Sequence, residues 1–119
     1  ADVVVLCSGK VYYDLLEKFG DKSPKNMAVV RVEQLHPYPA DAVAQAINRH
    51  GDPQVVWLQE EPRNMGAWSF MHEQLHLHGH ADVQYVGRSA SASPASGSPA
   101  VHQQRHDALL EEVVAMAKF

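Results

Sequence analysis

The stretch Gln59-Glu60-Glu61-Pro62-Arg63-Asn64-Met65-Gly66-Ala67-Trp68 follows the apolar run Val55-Val56-Trp57-Leu58 and sets two carboxylates side by side. Paired carboxylates act as general acid and base when they converge on one bond. Adjacent residues leaving an extended segment point to opposite faces, so Glu60 and Glu61 are poorly placed to share a substrate atom. An acid/base pair is not expected. Their position still matters, because the C-terminal ends of central parallel strands are where open α/β sheets bind ligands and partners. Glu60, Glu61 and Asn64 are read as residues that fix a strand-to-helix corner. Trp68 either anchors the following helix at an interface or packs on the domain's own core.

Other groups with chemical potential carry less. His72, His76, His78 and His80 spell HxxxHxHxH, and His72 with His76 at i, i+4 would share a helical face, a workable metal-ligand spacing. No nearby cysteine completes that site and Glu73 falls on a neighbouring face, so H-E-x-x-H is missing and no metal is assigned. Ser8-Gly9-Lys10 sits at the first strand-to-helix turn, where dinucleotide folds bind phosphate, but neither GxGxxG nor GxxxxGK[ST] is present. Ser8 is read instead as a helix N-cap. Gly87-Arg88-Ser89 is the better anion candidate: Gly87 would allow a backbone turn that gathers amides, and Arg88 supplies a fork of donors. Pairing of Arg88 with a carboxylate across an interface is the equal alternative. Cys7 closes an apolar strand without a His or Asn signature and is read as a small core residue. No catalytic residue is assigned.

The elements that position these residues alternate. Val3 to Cys7, Met27 to Val32, Gln54 to Gln59 and Val83 to Val86 read as strands, and the first three are nearly unbroken apolar runs of the kind a doubly covered parallel sheet requires. Val11, Tyr12, Leu15, Leu16 and Phe19 recur at helical spacing after Ser8 and stop at Gly20. A second helix runs from Pro39 through Val43, Ala44 and Ile47 to Gly51, a third from Asn64 through Trp68, Met71 and Leu75, and a fourth from Ser98-Pro99 through Val101, Leu109, Val113 and Ala117. Strand and helix alternation gives an α/β fold, a three-layer α/β/α sandwich with a mostly parallel sheet. Residues 89–99 contain only small side chains and proline, either a mobile connector or an ordered loop that lets its backbone approach another surface.

Length fits one domain over residues 1–119. Ten Lys and Arg against 14 Asp and Glu, a net charge of −4, give no reason to expect a nucleic-acid partner. The lone Cys7 and the lack of a signal-peptide pattern favour a reducing interior, and no apolar stretch approaches the ~20 residues of a membrane helix, so no membrane partner is expected. Ala1, followed at once by a strand, fits a chain cut from something longer and equally well the removal of an initiator Met before a small residue.

Read together, "CSGKVYYDLLE", "VVRVEQLHPYP", "VWLQEEPRNMGAW", "YVGRSASASPASG" and "VHQQRHDALLEE" resemble, in order and over about Val3 to Val114, the C-terminal region of the thiamine-diphosphate-dependent 2-oxoglutarate dehydrogenase first component, E1. Ser89 departs from the proline that usually follows Gly-Arg in that family. The resemblance implies a transketolase C-terminal-like fold in a parent enzyme that decarboxylates 2-oxoglutarate and passes the succinyl group to lipoamide on the E2 component. It also implies thiamine diphosphate and magnesium in preceding domains of the chain, an E1 homodimer, and a cytoplasmic location in bacteria or the mitochondrial matrix in eukaryotes. This sequence lacks the family's Gly-Asp-Gly followed by Asn; Gly51-Asp52 is followed by Pro53. The expected role is therefore non-catalytic assembly. A regulatory anion or nucleotide module using Arg88 with Arg31 and Lys10, the equivalent domain of a 2-oxoadipate dehydrogenase, and a stand-alone flavodoxin-like or metal-binding protein are the alternatives.

Overall fold

The computed structural model describes residues 1–33, 37–80, 82–88 and 99–119. Within them the chain alternates β1 (Val3–Cys7), α1 (Lys10–Phe19), β2 (Met27–Arg31), α2 (Ala40–Asn48), β3 (Gln54–Pro62), α3 (Trp68–Leu77), β4 (Gln84–Arg88) and α4 (Pro99–Val114). The strands form one sheet in the order β2-β1-β3-β4 with every pair parallel. The expected α/β architecture is thus the observed one.

The unbroken apolar runs explain the layering. Side chains alternate across a strand, so a sheet covered on both faces needs apolar residues at every position. Val3, Val5, Cys7, Val56 and Leu58 join Val11, Leu15 and Phe19 of α1 and Leu109, Leu110 and Val113 of α4 in one core. Val4, Leu6, Val55 and Trp57 join Val43 and Ile47 of α2 and Trp68, Met71 and Leu75 of α3 in the other. In register, Val4 faces Val55 and Leu6 faces Trp57, so the central pair β1–β3 is interior on both sides. After β2 the chain reverses direction along the sheet and changes face. That reversal leaves a crevice outside the carboxyl ends of β1 and β3, the topological switch point.

Several local expectations are corrected. Gly9, not Ser8, is the cap position of α1, at φ 74 without a side-chain cap bond, because the chain turns there through a left-handed conformation that favours glycine. Helix α3 starts at Trp68 with Ala67 at its cap position rather than at Asn64, since Gly66 at φ 65 and the Met65 N–H bond to the Pro62 carbonyl hold residues 62–67 in a turn. Strand β3 continues past Gln59 to Pro62, and β4 covers Gln84 to Arg88 instead of Val83 to Val86. Helix α4 ends at Val114, so Ala117 packs on the core from beyond it. Val32 is buried just past the end of β2. Ser89 and the small-residue run through Ser98 lie outside the described residues.

Candidate functional site

The end of β3 builds the site. Leu58 pairs with Val86 and Pro62 with Arg88, so Gln59, Glu60 and Glu61 stand opposite Gly87 alone. This bulge breaks the ladder at the switch point, where bulges commonly re-aim side chains. Alternation then sends neighbouring residues to different layers. Gln59 follows Trp57 toward α3, Glu60 turns toward α4, and Glu61 lies over Gly66. The two carboxylates do not converge, as the strand geometry requires.

On the α3 side no buried side-chain nitrogen or oxygen among the described residues lacks a hydrogen-bond partner. Gln59 is 3% exposed, and its Oε1 accepts from Trp57 Nε1 at 2.9 Å. Its Nε2 donates to the carbonyls of Glu61, Pro62 and Met65 at 3.1, 3.0 and 2.9 Å. An amide NH₂ has two hydrogens, so one of these bonds is shared. Gln59, which the sequence reading did not include with Glu60, Glu61 and Asn64, ties this corner through those bonds. Tyr85 adds a second tie: its hydroxyl donates to the Arg88 carbonyl at 2.6 Å, and the Arg63 N–H donates to the same carbonyl at 3.0 Å. The Arg63 guanidinium lies 5.1 Å from the Tyr85 ring and 5.8 Å from that of Trp68, which is itself buried at 6% exposure and stacked on His72. Glu61 is exposed at the rim of a crevice of about 340 Å³ bounded by Ser8, Trp57, Gln59, Gly66 and Phe70, and Asn64 is exposed in the turn that follows β3.

Gly87 is not a turn. Its φ is not positive, and a Cβ there would stand 2.4 Å from the Tyr85 hydroxyl and 2.9 Å from the Gln59 carbonyl oxygen. Glycine is required because the bulged strand and the folded-back tyrosine occupy that space. Arg31 and Arg88 lie on opposite edge strands, roughly 14 Å apart over three interstrand steps, and are not brought together. Arg31 pairs with Glu33 at 3.2 Å, contacts the Tyr13 hydroxyl and lies over the Tyr12 and Tyr13 rings. Lys10 bonds Asp14 at 3.1 Å, and this hydrogen bond is the main reason its ammonium pKa is raised. Cys7 is fully buried, and desolvation pushes its thiol up to about 12, which fits a core residue rather than a nucleophile.

The α4 side differs. His106, 7% exposed, sits between two carboxylates on different elements. Its Nε2 is 2.8 Å from Asp14 Oδ2 of α1. Its Nδ1 is 3.4 Å from Glu60 Oε2, close enough for an ion contact but outside hydrogen-bonding geometry, and has no hydrogen-bond partner among the described residues. A buried polar atom left unpaired costs about 1–3 kcal/mol. Asp14, Glu60 and His106 offer donor atoms within 4.8 Å of one another. Sequence reading missed Asp14, His106 and Gln59. A signal existed for each: His106 falls on the stripe with Leu109, Leu110 and Val113, Asp14 lies beside Val11 and Leu15, and Gln59 shares a strand face with Trp57. The histidines of α3 form no such group among the described residues; His72, His76 and His78 are exposed.

The fold is a doubly covered parallel-sheet domain with a bulged corner at the carboxyl end of β3. No described helix is long and apolar enough to cross a membrane. Residues 1–114 match the family model described as 2-oxoglutarate dehydrogenase C-terminal, and the chain belongs to that family. It is similar to the 2-oxoglutarate dehydrogenase E1 components of Brucella anthropi, Brucella ovis and Brucella canis, each 45% identical over 117 residues. These matches cover 93% of this chain and 12% of each relative, so the chain spans about an eighth of their length.

Proposed function

We propose that this domain is a non-catalytic assembly and dimerisation module of a thiamine-diphosphate-dependent 2-oxoglutarate dehydrogenase E1. The observation that carries the reading is the match over 93% of this chain to only 12% of each E1 relative. Thiamine diphosphate does not fit the residues present. Of the two Gly-Asp pairs, Gly20-Asp21 is followed by Lys22, and Gly51-Asp52, in the turn between α2 and β3, is followed by Pro53, so neither offers a Gly-Asp-Gly cradle for a diphosphate and its magnesium. Cofactor and decarboxylation then belong to preceding domains of the chain, and succinyl transfer involves the lipoyl-bearing E2 component. A bacterial parent would work in the cytoplasm.

In this reading the corner acts from two sides. Gln59 and the buried Trp68 hold it rigid from within, while the exposed Glu61 and Asn64 meet a neighbouring domain or subunit. Rigid presentation of a polar rim limits the entropy lost on docking. The test is the double variant Glu61→Ala, Asn64→Ala in the full-length enzyme, measured by sedimentation equilibrium and by turnover of 2-oxoglutarate and 2-oxoadipate. Dimer dissociation is expected to rise by about tenfold or more, the loss of one or two good interface contacts. Unchanged dimer affinity and turnover would remove the corner from the interface.

A further inference from the structure

The orphaned nitrogen of His106 and the distance to its neighbour have one chemical explanation in common. Asp14, as a carboxylate, only accepts, so the 2.8 Å contact places a ring proton on Nε2, and in the neutral imidazole the lone pair is then on Nδ1. That lone pair faces Glu60 Oε2, a second electron-rich atom, at 3.4 Å. Two acceptors turned toward each other in a buried position need something positive between them. The separation is longer than an N–H···O bond, about 2.7–3.2 Å. It matches two donors each about 2.0–2.1 Å from one tetrahedral ion, which stand about 3.4 Å apart.

We propose that Glu60 Oε2 and His106 Nδ1 form a binding site for a divalent transition-metal ion of the zinc type. The imidazole nitrogen is a borderline donor and the carboxylate oxygen a hard one, and a set that includes a nitrogen suits zinc or cobalt better than calcium or magnesium, which take oxygen ligands. Asp14 then has the role of the outer carboxylate that metal-bound histidines use to fix tautomer and ring orientation. Lys10, bonded to Asp14 at 3.1 Å, holds that carboxylate in turn. His106 is 7% exposed, on the helix that buries Leu109 and Leu110 against α1, whereas the Glu60 side chain is 38% exposed, so an ion enters from the Glu60 side and keeps water on its remaining positions. The site would tie the bulge of β3 to α4, and through Asp14 to α1.

Cobalt(II) is the probe. Full-length chain freed of thiamine diphosphate and magnesium is titrated with Co²⁺ and followed by visible absorption. Wild type is expected to take up one ion with the intense bands of four-coordinate cobalt. Glu60→Gln is expected to lose them, and Asp14→Asn to weaken binding by roughly 10–100-fold. Adventitious capture by His72 and His76 is common to all three proteins and cancels. Absence of the bands in wild type, or their survival in Glu60→Gln, overturns the proposal. So does a ¹⁵N-histidine spectrum in Zn²⁺ that shows both His106 ring nitrogens protonated, since a proton then fills the gap.

Discussion

The two sides of one bulged strand solve the same problem in opposite ways. Toward α3, Gln59 meets the Trp57 indole and three backbone carbonyls, and it leaves no donor or acceptor of its own unpaired. Toward α4, one residue later, Glu60 faces a buried imidazole whose Nδ1 has no hydrogen-bond partner among the described residues. A satisfied buried network rigidifies a corner, while an incomplete one invites a ligand to complete it. The α3 side therefore reads as structure, and the α4 side as a place left for binding.

That contrast fixes the order of effects on stability in metal-free protein. Gln59→Leu keeps volume but strips partners from the Trp57 N–H and from carbonyls of the 61–65 turn, and is expected to lower unfolding free energy by about 3 kcal/mol in denaturant titrations. Gly87→Ala comes next at about 2 kcal/mol, because the new methyl must displace the Tyr85 ring or the Gln59 backbone. Co-substitution with Tyr85→Phe would recover little of this, since the backbone oxygen at 2.9 Å remains. His106→Leu is expected to cost under about 1 kcal/mol, because the apolar side chain joins Leu109 and Leu110 and removes the orphan nitrogen along with the Asp14 bond. If His106→Leu cost as much as Gln59→Leu, the two sides would be equivalent and the α4 cluster would be ordinary scaffolding.

Much of the fold was legible. Nearly continuous Val, Leu and Trp runs fix a doubly covered parallel sheet because alternation exposes each strand to both layers, and Gly20 marks the end of α1 because left-handed backbone favours glycine there, whereas α2, expected to run to Gly51, stops at Asn48. Divergence of Glu60 and Glu61 followed from the period of two. The boundaries were less legible: Asn64 looked like a cap, yet the turn around Gly66 delays α3 to Trp68. Gly87 looked like a turn residue, yet its missing side chain makes room for Tyr85 and for the Gln59 carbonyl of the next strand.

The sequence by itself determined the layers, the parallel sheet and the opposite headings of the two carboxylates, since these depend on local periodicity. Tertiary structure alone decided that Asp14, Glu60 and His106 meet, because 92 positions separate Asp14 from His106 and only the packing of α1 and α4 on one face of the sheet closes that distance. It also decided that Gln59 holds the corner, since the carbonyls it binds become neighbours only after β3 has bulged.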